Sequence, residues 1–202
     1  MAWQRHLGRS ADATEWFDTV LGAYRAEGRQ YHGVRHVAWV VRHVESIAAD
    51  HPVVDIDSTV AAAFFHDVVY DPTRGDNEAE SAAMAERAVR QIGWTDPGCR
   101  RVAELVMATA GHDVEGVDRD TAVLLAADLA VLAAEPSRYA EYATGVRREY
   151  AHVDDAAWRT GRSAVLRTLL ERPRLFAAEL GLDEWERRAR ANITSELAAL
   201  AR

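Results

Sequence analysis

Apolar residues recur along most of this chain at the spacing of one helix face, and the alternating pattern typical of strands is absent. The segment from 34 to 50 is the clearest case, because its apolar positions share one face and Pro52 follows them. Those positions are Val37, Val40, Val41, Val44 and Ile47. The pattern predicts an all-α protein, built as a helical bundle.

Capping and turn residues divide the rest of the chain into further helices. Asp12 with Glu15, and Asp183 with Glu186, have the spacing of a capping box at a helix start. The predicted helices are 12–27, 34–50, 58–69, 76–93, 98–110, 120–133, 136–151, 155–171, 173–180 and 183–201. No repeat and no long linker interrupts them, so we expect a single compact domain of residues 1–202.

Composition narrows the chemistry. The net charge of -8 argues against binding of a nucleic-acid polymer, and all 24 basic residues are arginine, which excludes lysine-based catalysis. The single cysteine, Cys99, excludes thiolate-rich metal centres, so a metal must use nitrogen and oxygen ligands. No apolar run has the length of a membrane span or a secretory signal. We therefore expect a cytoplasmic protein with no membrane partner.

Ionisable residues interrupt two apolar stretches, and each needs a compensating partner. His66 and Asp67 stand inside AAAFFHDVVYDP, and Asp128 stands inside LLAADLAVLAA. A buried carboxylate costs several kcal/mol unless it is paired, hydrogen-bonded or bound to a cation. Together with His36 in YHGVRHV, these residues form a candidate set of two nitrogen and two oxygen ligands. Such a set suits manganese, iron, cobalt, nickel, zinc or magnesium.

The order of these residues resembles the HD-domain superfamily of metal-dependent phosphohydrolases, which are helical proteins. YHGVRHV, FFHDVVYDP with DNEAESA, ATAGH, DLAVL, and VRREY with TGRSAVL resemble an uncharacterised bacterial branch of that superfamily, over about residues 15–185. The resemblance implies that His36, His66, Asp67 and Asp128 are metal ligands. It implies hydrolysis of a small phosphorylated substrate, such as a nucleotide or related metabolite, by a metal-activated water.

Further roles follow from the same blocks. Asp67 could also orient or deprotonate the attacking water, and His112 and Glu78 are candidate catalytic residues. Candidate substrate-binding residues are His32, Arg35, Arg147 and Arg162, with Arg74 as an addition. Some HD nucleotidases carry a glutamate one turn after the doublet, where this chain has Val69 and Tyr70, so their mechanism does not transfer directly.

Other interpretations remain open on the sequence alone. His43 lies seven residues after His36 and is a rival ligand, and the polar pairs could be structural parts of a helical scaffold. The site could also bind a metal or nucleotide as a sensor without turnover. With His112 as an extra ligand it could hold two irons, as in an HD-type oxygenase. The number of ions and the oligomeric state, including a homodimer, are also open.

Overall fold

Ten α-helices and two short 3-10 helices make up the fold, and no strand is present, in a computed structural model that describes residues 1–202. The all-α prediction is confirmed. The α-helices are α1 Ala2–His6, α2 Ala11–Tyr24, α3 Val34–Asp50, α4 Ile56–Phe65, α5 Asn77–Ile92, α6 Asp96–Ala108, α7 Arg119–Asp128, α8 Pro136–Glu149, α9 Asp155–Glu171 and α10 Asp183–Leu200. The 3-10 helices are Leu129–Ala133 and Ala178–Leu180.

Helices α4 and α7 lie at the centre because they are apolar on nearly every side. All residues from Ser58 to Ala63 in α4 and from Asp120 to Ala127 in α7 are buried. Helix α3 packs against both, and its predicted apolar stripe is the buried face. One hydrophobic cluster takes residues from all ten α-helices. None of the helices combines the length and the apolar character that crossing a membrane requires.

The His66-Asp67 doublet lies at the end of α4 and not in the middle of a helix. The prediction of a helix over 58–69 was wrong at both ends, since Asp55 caps α4 by accepting a hydrogen bond from the Ser58 amide and the helix stops at Phe65. Beyond it, the Asp67 carbonyl is bound by a guanidinium instead of a helical amide. The chain therefore turns at the doublet, with both side chains on the inner end of α4.

Asp128 also ends a helix. The predicted helix 120–133 divides there into α7 and the 3-10 helix Leu129–Ala133. Three of the candidate ligands therefore sit where regular helices stop, and the fourth, His36, lies in the first turn of α3.

Local capping differs from prediction at two helices. Ser10 caps α2 by accepting a hydrogen bond from the Ala13 amide, so Asp12 is not the cap and the helix begins earlier than expected. At α10, Glu186 accepts hydrogen bonds from two amides of the segment 173–180 and forms no capping box. That segment was predicted as a helix but is an irregular loop with one 3-10 turn.

The two alternative caps of α2 predict different mutational effects. Ser10→Ala removes the side-chain acceptor for the Ala13 amide, so we expect it to lower the free energy of unfolding by about 1 kcal/mol. Asp12→Ala removes only a charge from the first turn and should cost a few tenths of a kcal/mol. Urea unfolding of both variants measures this difference, and a larger loss in Asp12→Ala would contradict it.

Candidate metal centre

Four side chains converge where α3, α4 and α7 meet. The Nε2 atoms of His36 and His66 are 2.9 Å apart, and Asp67 Oδ2 lies 3.2 Å from the first and 3.1 Å from the second. Asp128 Oδ1 is 3.4 Å and 3.5 Å from the same two nitrogens. Ligand atoms of His36, His66 and Asp67 all lie within 4.8 Å of one another, close enough to share one ion.

Backbone contacts fix the orientation of the His66 ring. Its Nδ1 is 2.9 Å from the Ala63 carbonyl, which can only accept, so Nδ1 carries the proton in the neutral ring. Nε2 then presents a lone pair to the cluster. Proteins usually orient a metal-binding histidine in this way: the ring nitrogen that does not bind the metal donates a hydrogen bond to a carbonyl or carboxylate.

The cluster has more acceptors than donors. When His66 is neutral, its Nε2, Asp67 Oδ2 and Asp128 Oδ1 are all acceptors within 3.5 Å of His36 Nε2. One proton on His36 cannot serve three acceptors. A divalent cation would satisfy all of them, and imidazole nitrogens with carboxylate oxygens suit a transition metal. The residues present therefore fit the metal that the sequence predicts.

The titration behaviour of the cluster has the same cause. Burial by itself would lower the pKa of His66, but the charges of Asp67 and Asp128 reverse this and raise the pKa well above its ordinary value. Burial would likewise raise the pKa of Asp67, but the His66 charge and hydrogen bonds from both histidines hold it well below its usual range. Positive charge is thus strongly favoured at this point, whether protons or a metal ion supply it.

His112 extends the cluster through Asp128. Its Nε2 lies 2.7 Å from Asp128 Oδ2, whereas the other oxygen, Oδ1, is the one that lies near His36 and His66. His112 has a φ of +46°, a left-handed conformation that is uncommon outside glycine. Arg172 donates to the carbonyl oxygens of His112 and Gly111 and holds this turn. The predicted catalytic residue therefore orients a candidate ligand.

A buried carboxylate, that of Glu149, holds the segment in front of α3. One of its oxygens accepts hydrogen bonds from the amides of Gln30, Tyr31 and His32 at 2.7 to 2.9 Å. The other accepts from His32 Nδ1 at 2.7 Å and from the Tyr70 hydroxyl at 3.0 Å. These bonds lower the pKa of Glu149 to about 2, against the opposing effect of burial. His32 thus faces the site in a fixed orientation.

Arg29 joins the two loops that carry candidate residues. Its guanidinium donates to the carbonyl oxygens of His32, Asp67 and Val68 at 2.9, 2.7 and 2.8 Å. The Asp67 amide in turn donates to the Tyr24 hydroxyl at 3.3 Å. The doublet is therefore held from its backbone on both sides, which keeps the Asp67 carboxylate directed at the histidines.

A cleft of about 360 Å³ opens beside the cluster. We call it the site cleft. His32, His36, Asp67, His112 and Asp128 line it, as do Glu78 and Arg74 from the α5 end. Arg74 is also paired with Asp76. The cleft has several tyrosines in its wall: Tyr31, Tyr70, Tyr142 and Tyr150.

The other predicted phosphate-binding arginines lie elsewhere. Arg147 donates to the Tyr150 and Val153 carbonyls and pairs with Asp155, so its guanidinium is engaged in the turn after α8. Arg162 is buried and bound by Glu196. Both therefore have structural partners and neither lines the site cleft.

Arg35 and His43 are also outside the site cleft. Arg35 is exposed and lines an adjoining cavity, described below. The rival ligand, His43, donates from Nδ1 to the Trp39 carbonyl at 2.8 Å and packs on the Trp39 ring. It takes no part in the cluster.

Three residues that were not predicted from the sequence hold the loops of the candidate site in place: Glu149, Arg29 and Arg172. Glu149 stands inside the VRREY block, in which only Arg147 was predicted to be a site residue. Arg29 and Arg172 stand in no motif that distinguishes them from the other arginines of the sequence. Only the tertiary structure shows that each binds backbone carbonyls of a site loop.

Comparison with protein-family models, curated proteins and solved structures finds no match to this chain. Membership of the HD-domain superfamily therefore stays a prediction, which rests on the motifs and their order.

The cluster predicts one tightly bound divalent ion per chain. Loss of a residue that only orients a metal ligand commonly weakens metal binding 10- to 100-fold. His66 is a candidate ligand itself, so removing its imidazole should weaken binding by about 100-fold or more. His66→Ala tests this by calorimetric titration with Mn²⁺, Co²⁺ or Zn²⁺. His51→Ala, at the end of α3 and outside the cluster, is the control. Equal affinities in wild type and His66→Ala would contradict the site.

Glu149 predicts a pH-dependent part of stability. Glu149→Gln puts an amide NH₂ among hydrogen-bond donors, so we expect a loss of about 1–3 kcal/mol at pH 7. Because folding lowers this pKa from 4.5 to about 2, the stabilisation is complete above about pH 4.5 and is lost as the pH falls towards 2.

Urea unfolding of wild type and Glu149→Gln between pH 7 and pH 3 measures this effect. The difference between the two proteins should be constant down to about pH 4.5 and shrink below it. Glu141→Gln, an exposed position on the same helix, is the control and should show little difference at any pH. A wild-type advantage that grows on acidification would contradict the assigned role.

Proposed function

We propose that this protein is a divalent-metal-dependent phosphohydrolase that acts on a small phosphorylated metabolite, such as a nucleotide. The observation that carries the proposal is the convergence of His36, His66, Asp67 and Asp128, whose acceptor atoms lack enough donors, at the wall of an open cleft. The order of these residues along the chain matches that of the HD-domain superfamily, which supports phosphate chemistry over other metal chemistry.

A bound divalent ion would lower the pKa of a water and neutralise charge on a phosphate oxygen. The chain's own residues then determine what enters. Asp67 is the candidate ligand with the larger exposed fraction among the two carboxylates, 18% against 12% for Asp128, so its second oxygen is available to orient a water in the cleft. His32 and His112 flank the cluster, and both are held by carboxylates that orient their rings.

The remaining candidates have more limited roles. Glu78 lines the cleft in the first turn of α5 and is the acidic group there that is not part of the cluster, so it is the candidate to exchange a proton with a leaving group. Arg74 is the arginine in the cleft wall. Since Asp76 already neutralises it, phosphate charge must be balanced mainly at the metal cluster.

A metal or nucleotide sensor is the second candidate function. It is favoured by the engagement of His32 and His112 with Glu149 and Asp128, which leaves few free acid–base groups in the cleft. Such a protein would bind the same ligands without turnover. A di-iron oxygenase has less support, because His112 Nε2 is already engaged by Asp128 Oδ2 at 2.7 Å.

Phosphate release tests the proposal directly. Protein loaded in turn with Mn²⁺, Co²⁺, Ni²⁺, Mg²⁺, Zn²⁺ or Fe²⁺ is assayed on a panel of phosphomonoesters and nucleoside phosphates. We expect metal-dependent release, reduced about 100-fold or more in Asp67→Asn, which keeps the side-chain size. His43→Asn is the matched control and should retain activity.

Other outcomes separate the alternatives. No release with any metal, together with calorimetric binding of a nucleotide, would overturn the hydrolase in favour of the sensor. Oxygen uptake with Fe²⁺ and no phosphate release would favour the oxygenase.

A further inference from the structure

A second cavity adjoins the candidate metal centre. It has a volume of about 480 Å³ and lies between α3 and α8. Four residues line both this cavity and the site cleft: Tyr31, His36, Val131 and Tyr142. Its size falls within the range of small-molecule sites. Because His36 belongs to both walls, a molecule here would lie next to the metal cluster.

The charge of this second cavity is opposite to that of the whole protein. Arg35, Arg138 and Arg148 line it with a single acidic residue, Glu141, while the chain as a whole carries -8. Arg138 is 3.4 Å from Glu141, but Arg35 and Arg148 are exposed and have no carboxylate partner. This contrasts with Arg147 and Arg162, whose guanidinium groups are bound. A concave wall with free guanidinium groups attracts anions.

Two residues in the cavity wall have a buried nitrogen atom without a hydrogen-bond partner. In this protein the buried side-chain polar atoms that lack a hydrogen-bond partner are His36 Nδ1 and Trp39 Nε1, and both residues line the second cavity. His36 is only 4% exposed. When its Nε2 binds a metal, Nδ1 carries the proton and becomes a donor. Buried donors normally have an acceptor, but both atoms are buried behind the cavity wall, so the groups that a ligand in the cavity would contact directly are the arginines.

We propose that this cavity, the arginine pocket, binds a phosphate group. The pocket is defined by Arg35, His36, Trp39, Arg138 and Arg148. Phosphate oxygens are acceptors only, carry negative charge and match the arginine fork. The assignment of the phosphate to the substrate rests on the proposed function: the pocket holds the phosphate that is not attacked. The preferred substrates then carry two separate phosphate groups or a polyphosphate chain.

Binding of inorganic tripolyphosphate to the metal-free protein tests the pocket without any need for activity. Calorimetric titration at low ionic strength should show binding to wild type. In Arg35→Gln/Arg148→Gln, two exposed changes that should not impair folding, the Kd should rise about tenfold or more. Arg9→Gln/Arg167→Gln has the same charge change at exposed positions outside the pocket and should bind as wild type does.

The binding experiment and the kinetic experiment each have an outcome that would contradict the arginine pocket. No binding by wild type, or equal weakening in both double variants, would overturn the pocket even if the protein hydrolyses phosphate esters. Where hydrolysis is present, Arg35→Gln/Arg148→Gln should raise KM for substrates with a second phosphate about tenfold and leave KM for simple phosphomonoesters unchanged. An equal rise for both substrate types would overturn the assignment to the substrate.

Discussion

The need to neutralise ionisable groups inside an apolar core governs this structure. Two imidazoles and two carboxylates meet where α3, α4 and α7 come together, and both histidines are almost fully buried. Charges in such surroundings cost several kcal/mol unless they are paired or bound to a cation. Positive charge between these groups stabilises the arrangement, because the apolar helices α4 and α7 leave the two carboxylates only partly accessible to solvent.

The candidate site residues are carried by irregular loops, and arginine side chains stabilise these loops by donating hydrogen bonds to their carbonyl oxygens. The loops that carry His32, Asp67 and His112 expose carbonyl oxygens that no helix satisfies, and Arg29 and Arg172 donate to them. The planar guanidinium can bind two carbonyls at once, which an ammonium group does less well. In a chain with no lysine, many arginines are thus structural, which is why counting them does not locate a phosphate site.

The elements that depend on local pattern were predictable, and those that depend on distant contacts were not. Helix α3 was predicted with its observed bounds because its apolar stripe and Pro52 are both local signals. The four candidate ligands were found because ionisable residues in apolar runs demand an explanation. Glu149 could not be recognised, since its role comes from donors more than a hundred residues away. The end of α4 was misplaced because Arg29, a remote residue, binds the carbonyl of Asp67.

His36 joins the two cavities chemically as well as spatially. Its Nε2 faces the metal cluster, and its Nδ1 is buried without a hydrogen-bond partner in a residue that lines the arginine pocket. An acceptor on one nitrogen of an imidazole makes the other a stronger ligand. If a phosphate oxygen, or a water that it holds, accepts from Nδ1, occupation of the pocket strengthens the metal site. By reciprocity, a metal on Nε2 must then favour the anion by the same factor. His36 is thus the residue through which the two proposed sites would be coupled.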